Sequence, residues 1–173
     1  MNPSDTYAKP RSEPRSLTFT WEDPMLSAGK GRAMSGIEYL GAMVRGELQG
    51  APIAHLLGIR ILEVDVGRVV FAVEPGEQHY NPMGSVHGGL SATLFDSAMG
   101  CAVLSTLPAG TFFTTLELKV NFVRAMSRDT GLVRCEASII HAGSRVATAE
   151  ARLTGADGKL YGHATTTCMI LRG

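Results

Sequence analysis

The sequence lacks an excess of charge of either sign, and it lacks a long apolar run. Its 173 residues contain 16 Lys and Arg against 16 Asp and Glu, so the formal net charge is zero. Without a basic excess, we expect neither nucleic acid nor an anionic membrane surface as a partner. No apolar run approaches the roughly 20 residues that span a bilayer. The polar N-terminal segment also has no apolar core of the kind found in signal peptides.

Cysteine is scarce as well. The chain has three, Cys101, Cys135 and Cys168, and no two of them have the Cys-x-x-Cys spacing. An odd number of thiols in apolar surroundings argues against a disulfide framework and against a zinc site. We therefore expect a cytoplasmic protein with no metal and no redox cofactor. Apolar residues make up 45% of the chain and charged residues 18%, which is typical of a globular domain.

Composition and apolar spacing divide the chain into three parts. Residues 1–34 are predicted to be a mobile tail, residues 35–58 an N-terminal helical extension, and residues 59–173 the main domain. Within the extension, residues 36–48 have the apolar spacing of a helix. A second, short helix is predicted to begin at Pro52, because proline favours the first helical position.

The main domain alternates apolar and polar residues along its predicted strands. These strands cover residues 59–65, 68–74, 116–122, 133–139, 147–153 and 160–171. One long helix is predicted over residues 87–106, and it is apolar on nearly every side. Such a helix must be buried on several sides. We therefore predict an α+β fold in which a curved antiparallel sheet wraps around one long central helix.

One carboxylate, Asp96, interrupts the apolar helix. No Lys or Arg lies within four residues of it, so its charge is costly unless something uses it or pairs with it. At the start of the same helix, Gly88 and Gly89 expose backbone N–H groups that can bind a developing negative charge. The alternatives are an Asp that is only solvated and a glycine pair that only permits a tight turn.

Gly88 and Asp96 are eight residues apart, which is roughly 12 Å along a helix axis. An oxyanion donor and a base that act on one carbonyl must both lie about 3 Å from the reacting atoms. One helix does not easily supply both. We therefore predict an active site shared between two subunits related by a two-fold axis, with Gly88 from one chain and Asp96 from the other.

The spacing Asn81-Pro82-x-Gly84-x-x-His87-Gly88-Gly89, followed by Asp96, resembles the hotdog-fold acyl-CoA thioesterases of the phenylacetate-degradation (PaaI-like) type. Three later segments add to the resemblance, which covers roughly residues 50–170. They are the strand 114–122 and the motifs His141-x-Gly143-x-Arg145 and Asp157-Gly158-Lys159.

The resemblance implies hydrolysis of an acyl- or aryl-acyl-CoA thioester to the free acid and CoA, by a homodimer or a dimer of dimers. Coenzyme A would enter only as part of the substrate. In the resembled family, the N–H at Gly88 binds the thioester carbonyl oxygen, and Asp96 acts as general base or as nucleophile. Asn81 and Thr115 match positions that hold the attacking water, with Thr114 as the alternative to Thr115.

The remaining candidates have simpler alternatives. His87 either orients substrate or water, or only bonds to local backbone at the helix start. Asn81 is otherwise a turn residue before a proline. The predicted substrate-binding residues are Gly89, Thr114, Met99, Phe95, Arg124 and Arg145, with Phe112 and Phe113 as further candidates for the acyl pocket. The alternative function is a non-catalytic acyl-CoA-binding hotdog module; the spacing of a hotdog hydratase is absent.

Overall fold

The computed structural model describes residues 13–172. In chain order its elements are α1 Pro24–Gly31, α2 Gly36–Val44, α3 Pro52–Leu57, β1 Arg60–Asp65, β2 Arg68–Val73, α4 Gly88–Leu104, β3 Thr111–Phe122, β4 Val133–Ala142, β5 Val146–Gly155 and β6 Leu160–Arg172. This order of strands around one long helix confirms the sequence prediction. The predicted short helix that begins at Pro52 is confirmed as α3, which Gly58 ends in the left-handed conformation.

The six strands form one antiparallel sheet in the order β1-β2-β4-β5-β6-β3. Helix α4 packs against the inner face of five of these strands, β2 to β6. Its side chains Leu94, Phe95 and Ala98 are buried there among apolar residues of the sheet. The predicted α+β fold, with a sheet wrapped around one central helix, is therefore confirmed.

The alternation along β3 differs from the sequence prediction at one point. Between Thr115 and Glu117 the pairing of β3 with β6 shifts by one residue, because Leu116 forms a β-bulge. Alternation over residues 116–122 predicts that Leu116 and Leu118 share a buried face, and this is wrong for Leu116, which is 55% exposed. A bulge puts one extra residue into one strand and so reverses which residues face inward beyond it.

The predicted tail 1–34 contains a helix that the sequence analysis does not predict. Helix α1 begins at Pro24 after Asp23, whose carboxylate accepts a hydrogen bond from Met25 N–H at 2.9 Å. An acidic cap followed by proline is a helix-start signal in the sequence. Residues 1–12 of this predicted tail, and Gly173 at the other end, lie outside the described residues.

Helix α2 is fixed against the end of α4. Gly36 N–H donates a hydrogen bond to Leu107 O at 3.0 Å. A Cβ at Gly36 would lie 1.7 Å from Leu104 O, so only glycine permits this close approach. The N-terminal extension is thus packed onto the central helix. Among residues 13–172, no helix combines the length and the apolar character needed to cross a membrane.

Candidate active site

Asp96 lies in the middle of α4 and is exposed, while the residue before it, Phe95, is fully buried. This contrast follows from helical geometry, because successive residues point about 100° apart. The side of α4 that carries Asp96 faces β3. There Thr115 Oγ1 donates a hydrogen bond to Asp96 Oδ1 at 2.9 Å. A hydroxyl donor holds the carboxylate in one orientation and leaves its second oxygen free for other partners.

The bulge decides which threonine reaches Asp96. Before it, Phe113 and Thr115 face α4; after it, Leu118 and Val120 do. Thr114 lies on the outer face of the strand and is exposed. The structure therefore favours Thr115 over Thr114 as the hydroxyl beside Asp96, and Thr114 points away from it.

A buried hydroxyl on β6 holds the bulge. Thr166 is 2% exposed, and its Oγ1 donates a hydrogen bond to Glu117 O at 2.6 Å. Glu117 is the residue at which regular pairing resumes after the bulge. Thr166 therefore supports the backbone geometry that brings Thr115 to Asp96.

We expect Thr166→Val to lower the free energy of unfolding by about 1–3 kcal/mol, because it removes a buried donor from a backbone carbonyl. Thr166→Ser keeps the hydroxyl and is expected to lose less. Thr165→Val, at the exposed neighbour on the same strand, is the matched control and should change stability little. Urea unfolding measures all three, and equal losses in the Val and Ser variants of Thr166 would contradict a role for the hydroxyl.

An apolar cavity of about 450 Å³ lies beside Asp96. Cavities of roughly 300–1,000 Å³ are typical of sites for small molecules. Its walls come from α2, α3, β1, β2, α4 and β3. The lining residues are Tyr39, Leu40, Met43, Val44, Gly50, Ala51, Ile53, Ala54, His55, Ile59, Arg60, Ile61, Phe71, Asp96, Ser97, Cys101, Leu104 and Phe113. One carboxylate thus stands at the wall of a pocket made mostly of aliphatic and aromatic side chains.

The structure corrects part of the predicted acyl pocket. Phe95 and Met99 are fully buried in the core under the sheet, and neither lines the cavity. Phe113 does line it. The missing walls come from α2 and α3, which sequence reasoning did not assign to the site. The sequence signal for the α2 wall was the apolar helical spacing over residues 36–48. This spacing indicates that the helix has a buried face, but it does not indicate what that face covers.

The first turn of α4 contains a backbone donor, Gly88 N–H, that has no acceptor among the described residues. His87 Nδ1 accepts a hydrogen bond from Gly89 N–H at 2.8 Å. Gly88 N–H has no acceptor among residues 13–172. His87 therefore acts as a helix cap, which is the second of its two predicted roles, bonding to local backbone at the helix start. The N–H of Gly89 is occupied by this contact. Gly88 N–H is the donor that remains available to a ligand.

The loop before α4 is held by side-chain hydrogen bonds. Asn81 Oδ1 accepts from Met83 N–H at 2.9 Å and from Ser85 N–H at 3.3 Å, and Asn81 Nδ2 donates to Ser85 Oγ at 3.1 Å. Asn81 is therefore a turn-forming residue in this structure, with one amide hydrogen left for other contacts.

His79 supports the same loop from beneath. His87 N–H donates to His79 O at 2.8 Å, and Gly76 N–H donates to His79 Nδ1 at 3.0 Å. Burial lowers the pKa of His79, which favours the neutral form of the imidazole. Its side chain thus contributes to the position of the segment that carries His87 and Gly88.

Arg124 and Arg145 lie at opposite ends of β6. Arg124 lines a groove of about 330 Å³ together with Gly88, Ser91 and Phe122. Its guanidinium lies 6.0 Å from the ring centre of Tyr161 near the start of β6. Arg145 O instead accepts from Ile170 N–H near the end of that strand. Nine residues of strand are roughly 30 Å, so within one chain only Arg124 lies near Gly88.

The thiols near Asp96 are not activated. Burial, with a smaller contribution from the charge of Asp96, raises the pKa of Cys101 to about 12. Burial likewise raises the pKa of Cys168, which pairs with Thr115 across strands β6 and β3. Both thiols are therefore protonated near neutral pH, as expected for packing residues rather than nucleophiles. Within residues 13–172, no three His, Cys, Asp or Glu side chains are placed to share a metal ion.

Comparisons with known proteins agree with this architecture. The profile of the thioesterase superfamily matches residues 83–161, which include all of α4 and strands β3 to β5. A 1,4-dihydroxy-2-naphthoyl-CoA hydrolase of Listeria monocytogenes is 30% identical over 104 residues, covering 60% of this chain and 83% of that protein.

Solved structures are similar over a larger part of the chain. A phenylacetic acid degradation-related protein from Ralstonia eutropha JMP134 is 33% identical, with a TM-score of 0.69 over 76% of this chain and 98% of that one. The PaaI protein from the phenylacetic acid degradation operon of E. coli shares the fold at 22% identity. Its TM-score is also 0.69, over 81% of this chain and 97% of that one.

Proposed function

Since this chain belongs to the thioesterase superfamily, we propose that it hydrolyses acyl-CoA thioesters to the free acid and coenzyme A. Membership in the superfamily makes it a thioester hydrolase with a hotdog fold. The proposal adds the substrate class, the residues that act on it and the need for a second subunit.

One observation carries the proposal: the Asp96 carboxylate lies at the wall of the apolar cavity, with Thr115 donating to one of its oxygens. An apolar acyl group gains free energy by entering such a cavity, about 25 cal/mol for each Å² of apolar surface removed from water. With the acyl group inside, the thioester carbonyl would lie at the cavity wall beside Asp96. The geometry therefore suits a substrate with an apolar acyl group.

Asp96 then acts in one of two ways. As a general base, Asp96 takes a proton from water while the water oxygen attacks the carbonyl carbon. The C–S bond then breaks, and the CoA thiolate receives the proton from Asp96. As a nucleophile its oxygen attacks the same carbon and expels the thiolate, and water then hydrolyses the resulting mixed anhydride. In both routes Thr115 orients the carboxylate, and Asn81 has one amide hydrogen with which to hold water.

Both routes place negative charge on the carbonyl oxygen, which we propose is bound by Gly88 N–H of a second subunit. That donor has no acceptor among residues 13–172 and stands at the N-terminal, positive end of α4. Arg124 lines the same groove, so we propose it as the contact for a phosphate of coenzyme A. Arg145 instead lies beside the other end of β6, where its backbone carbonyl accepts from Ile170 N–H.

The edge of the sheet supports pairing with a second copy. Strand β3 is at one edge, so its outer backbone groups have no sheet partner among the described residues. Phe112, Leu116 and Phe122 are exposed along it. A long edge strand with apolar side chains is a surface that proteins usually cover. We propose a homodimer, or a dimer of dimers, in which each active site takes Gly88 and Asp96 from different chains.

A panel of alkyl- and aryl-acyl-CoA substrates, assayed by release of the CoA thiol, tests the proposed function. We expect kcat/KM of at least about 10⁴ M⁻¹ s⁻¹ for the best substrate. N-acetylcysteamine thioesters of the same acids are the matched control, and they should react more slowly because they lack the CoA phosphates. Tight binding of acyl-CoA without turnover would instead support the non-catalytic binding module.

A further inference from the structure

A second cavity of about 320 Å³ adjoins the one beside Asp96. Its walls come from α1, α2, the end of α4 and the start of β3, and they include Ala28, Gly31, Met34 and Phe112. Two residues, Tyr39 and Leu104, line both cavities. Tyr39 and Leu104 therefore form a boundary that the two cavities share.

The Tyr39 side chain is held in place by the N-terminal helices. A Cβ at Gly31 would lie 2.6 Å from a carbon of the Tyr39 ring, so the ring packs directly on the backbone at the end of α1. Burial raises the pKa of the Tyr39 hydroxyl. Helix α2, which carries Tyr39, is anchored to the end of α4 through Gly36. The wall thus has a fixed position relative to Asp96, which is on the same helix as Leu104.

From this arrangement we propose that Tyr39 sets the length of acyl group that the enzyme accepts. The inference rests on the proposed function, because the acyl group must enter the cavity beside Asp96. Tyr39 closes the end of that cavity, and removing its ring joins the two spaces. Helices α1 and α2 lie outside the segment 83–161 that matches the superfamily profile. Substrate selection is therefore carried by the N-terminal extension, whereas Gly88, Asp96 and Thr115 lie within the matched segment.

The test is a chain-length profile of kcat/KM for straight-chain acyl-CoA substrates from butanoyl to hexadecanoyl. We expect wild-type activity to fall beyond a definite length. In Tyr39→Ala the optimum should move to chains longer by several methylenes, because the second cavity of about 320 Å³ becomes available to the acyl group. The ratio of kcat/KM for the longest to the shortest active substrates should rise at least about tenfold.

Two further variants distinguish the effect of ring size from the effect of the hydroxyl and from a loss of protein stability. Tyr39→Phe keeps the ring and should keep the wild-type profile. Tyr39→Trp fills more of the space and should move the optimum to shorter chains, which tests the proposal even if the Ala variant does not fold. Unchanged profiles in folded Ala and Trp variants would overturn the role of Tyr39 while leaving the proposed function intact. No hydrolysis of any acyl-CoA by the wild-type protein would instead overturn the proposed function.

Discussion

Replacing Asp96 by Asn is expected to lower kcat for the best acyl-CoA substrate by about 10³-fold, within the range of 10² to 10⁴ typical for loss of a general base. The amide cannot take a proton from water, and it is not a nucleophile under these conditions. Its shape matches the carboxylate, so Thr115 Oγ1 keeps an oxygen acceptor. The unfolding midpoint should change little, since Asp96 is exposed.

Asp129→Asn is the matched control. Asp129 is exposed in the short helix Arg128–Thr130 and pairs only weakly with Arg128, at 3.8 Å. It is expected to keep wild-type kcat and stability. An Asp96→Asn enzyme with more than about a tenth of wild-type kcat would contradict the proposed role. The wild-type enzyme distinguishes the two routes. If it releases CoA rapidly in an amount equal to the enzyme concentration and then turns over slowly, a mixed anhydride accumulates and the route is nucleophilic.

The second large effect is expected from the backbone donor at the start of α4. Gly88→Pro removes the N–H and keeps the helix, because proline suits the first helical position and His87 has the extended conformation allowed before proline (ψ 133°). Gly88→Ala keeps the N–H. Both add a carbon that approaches the Phe122 ring at about 3.1 Å, so the difference in kcat between them reports the loss of the N–H donor.

We expect the Pro variant to have 10²- to 10³-fold lower kcat than the Ala variant. Equal kcat values would exclude Gly88 N–H as the oxyanion donor.

The two inactive variants together test whether the site is shared. A mixed dimer of Gly88→Pro and Asp96→Asn contains one site with both defects and one site with neither. Equal amounts that exchange subunits at random should therefore regain about a quarter of wild-type activity, since about half of the dimers are mixed. The reference mixtures, Asp129→Asn with each single variant, should have about half of wild-type activity whether or not the site is shared. No recovery in a mixture shown to contain mixed dimers would mean that each site belongs to one chain.

The sequence alone identified the central helix and the groups on it. Period-two alternation predicted the strands, and the apolar character of residues 87–106 predicted one buried helix, now seen as α4. Asp96 stood out because a lone carboxylate in an apolar helix needs a partner or a function. These predictions depend on local spacing and on the cost of burying a charge, and both are properties that a short segment carries by itself.

The contacts around Asp96 were decided by packing between distant segments. Whether Thr114 or Thr115 faces α4 depends on the bulge at Leu116, which Thr166 supports from β6. A bulge reverses the inward face without leaving a pattern that alternation alone can identify. For the same reason, the alternation in residues 116–122 placed Leu116 on the wrong face.

The acyl cavity and its end wall also depend on the tertiary structure. Phe95 and Met99 were predicted to line the pocket, but both are fully buried in the core under the sheet. The walls instead include Tyr39, on a helix more than fifty residues earlier in the chain. The sequence determined that a carboxylate and a free helix N-terminus exist on α4. Only the packing of α1 and α2 against α4 decided what space lies beside the carboxylate, because a cavity is formed by surfaces that meet in three dimensions.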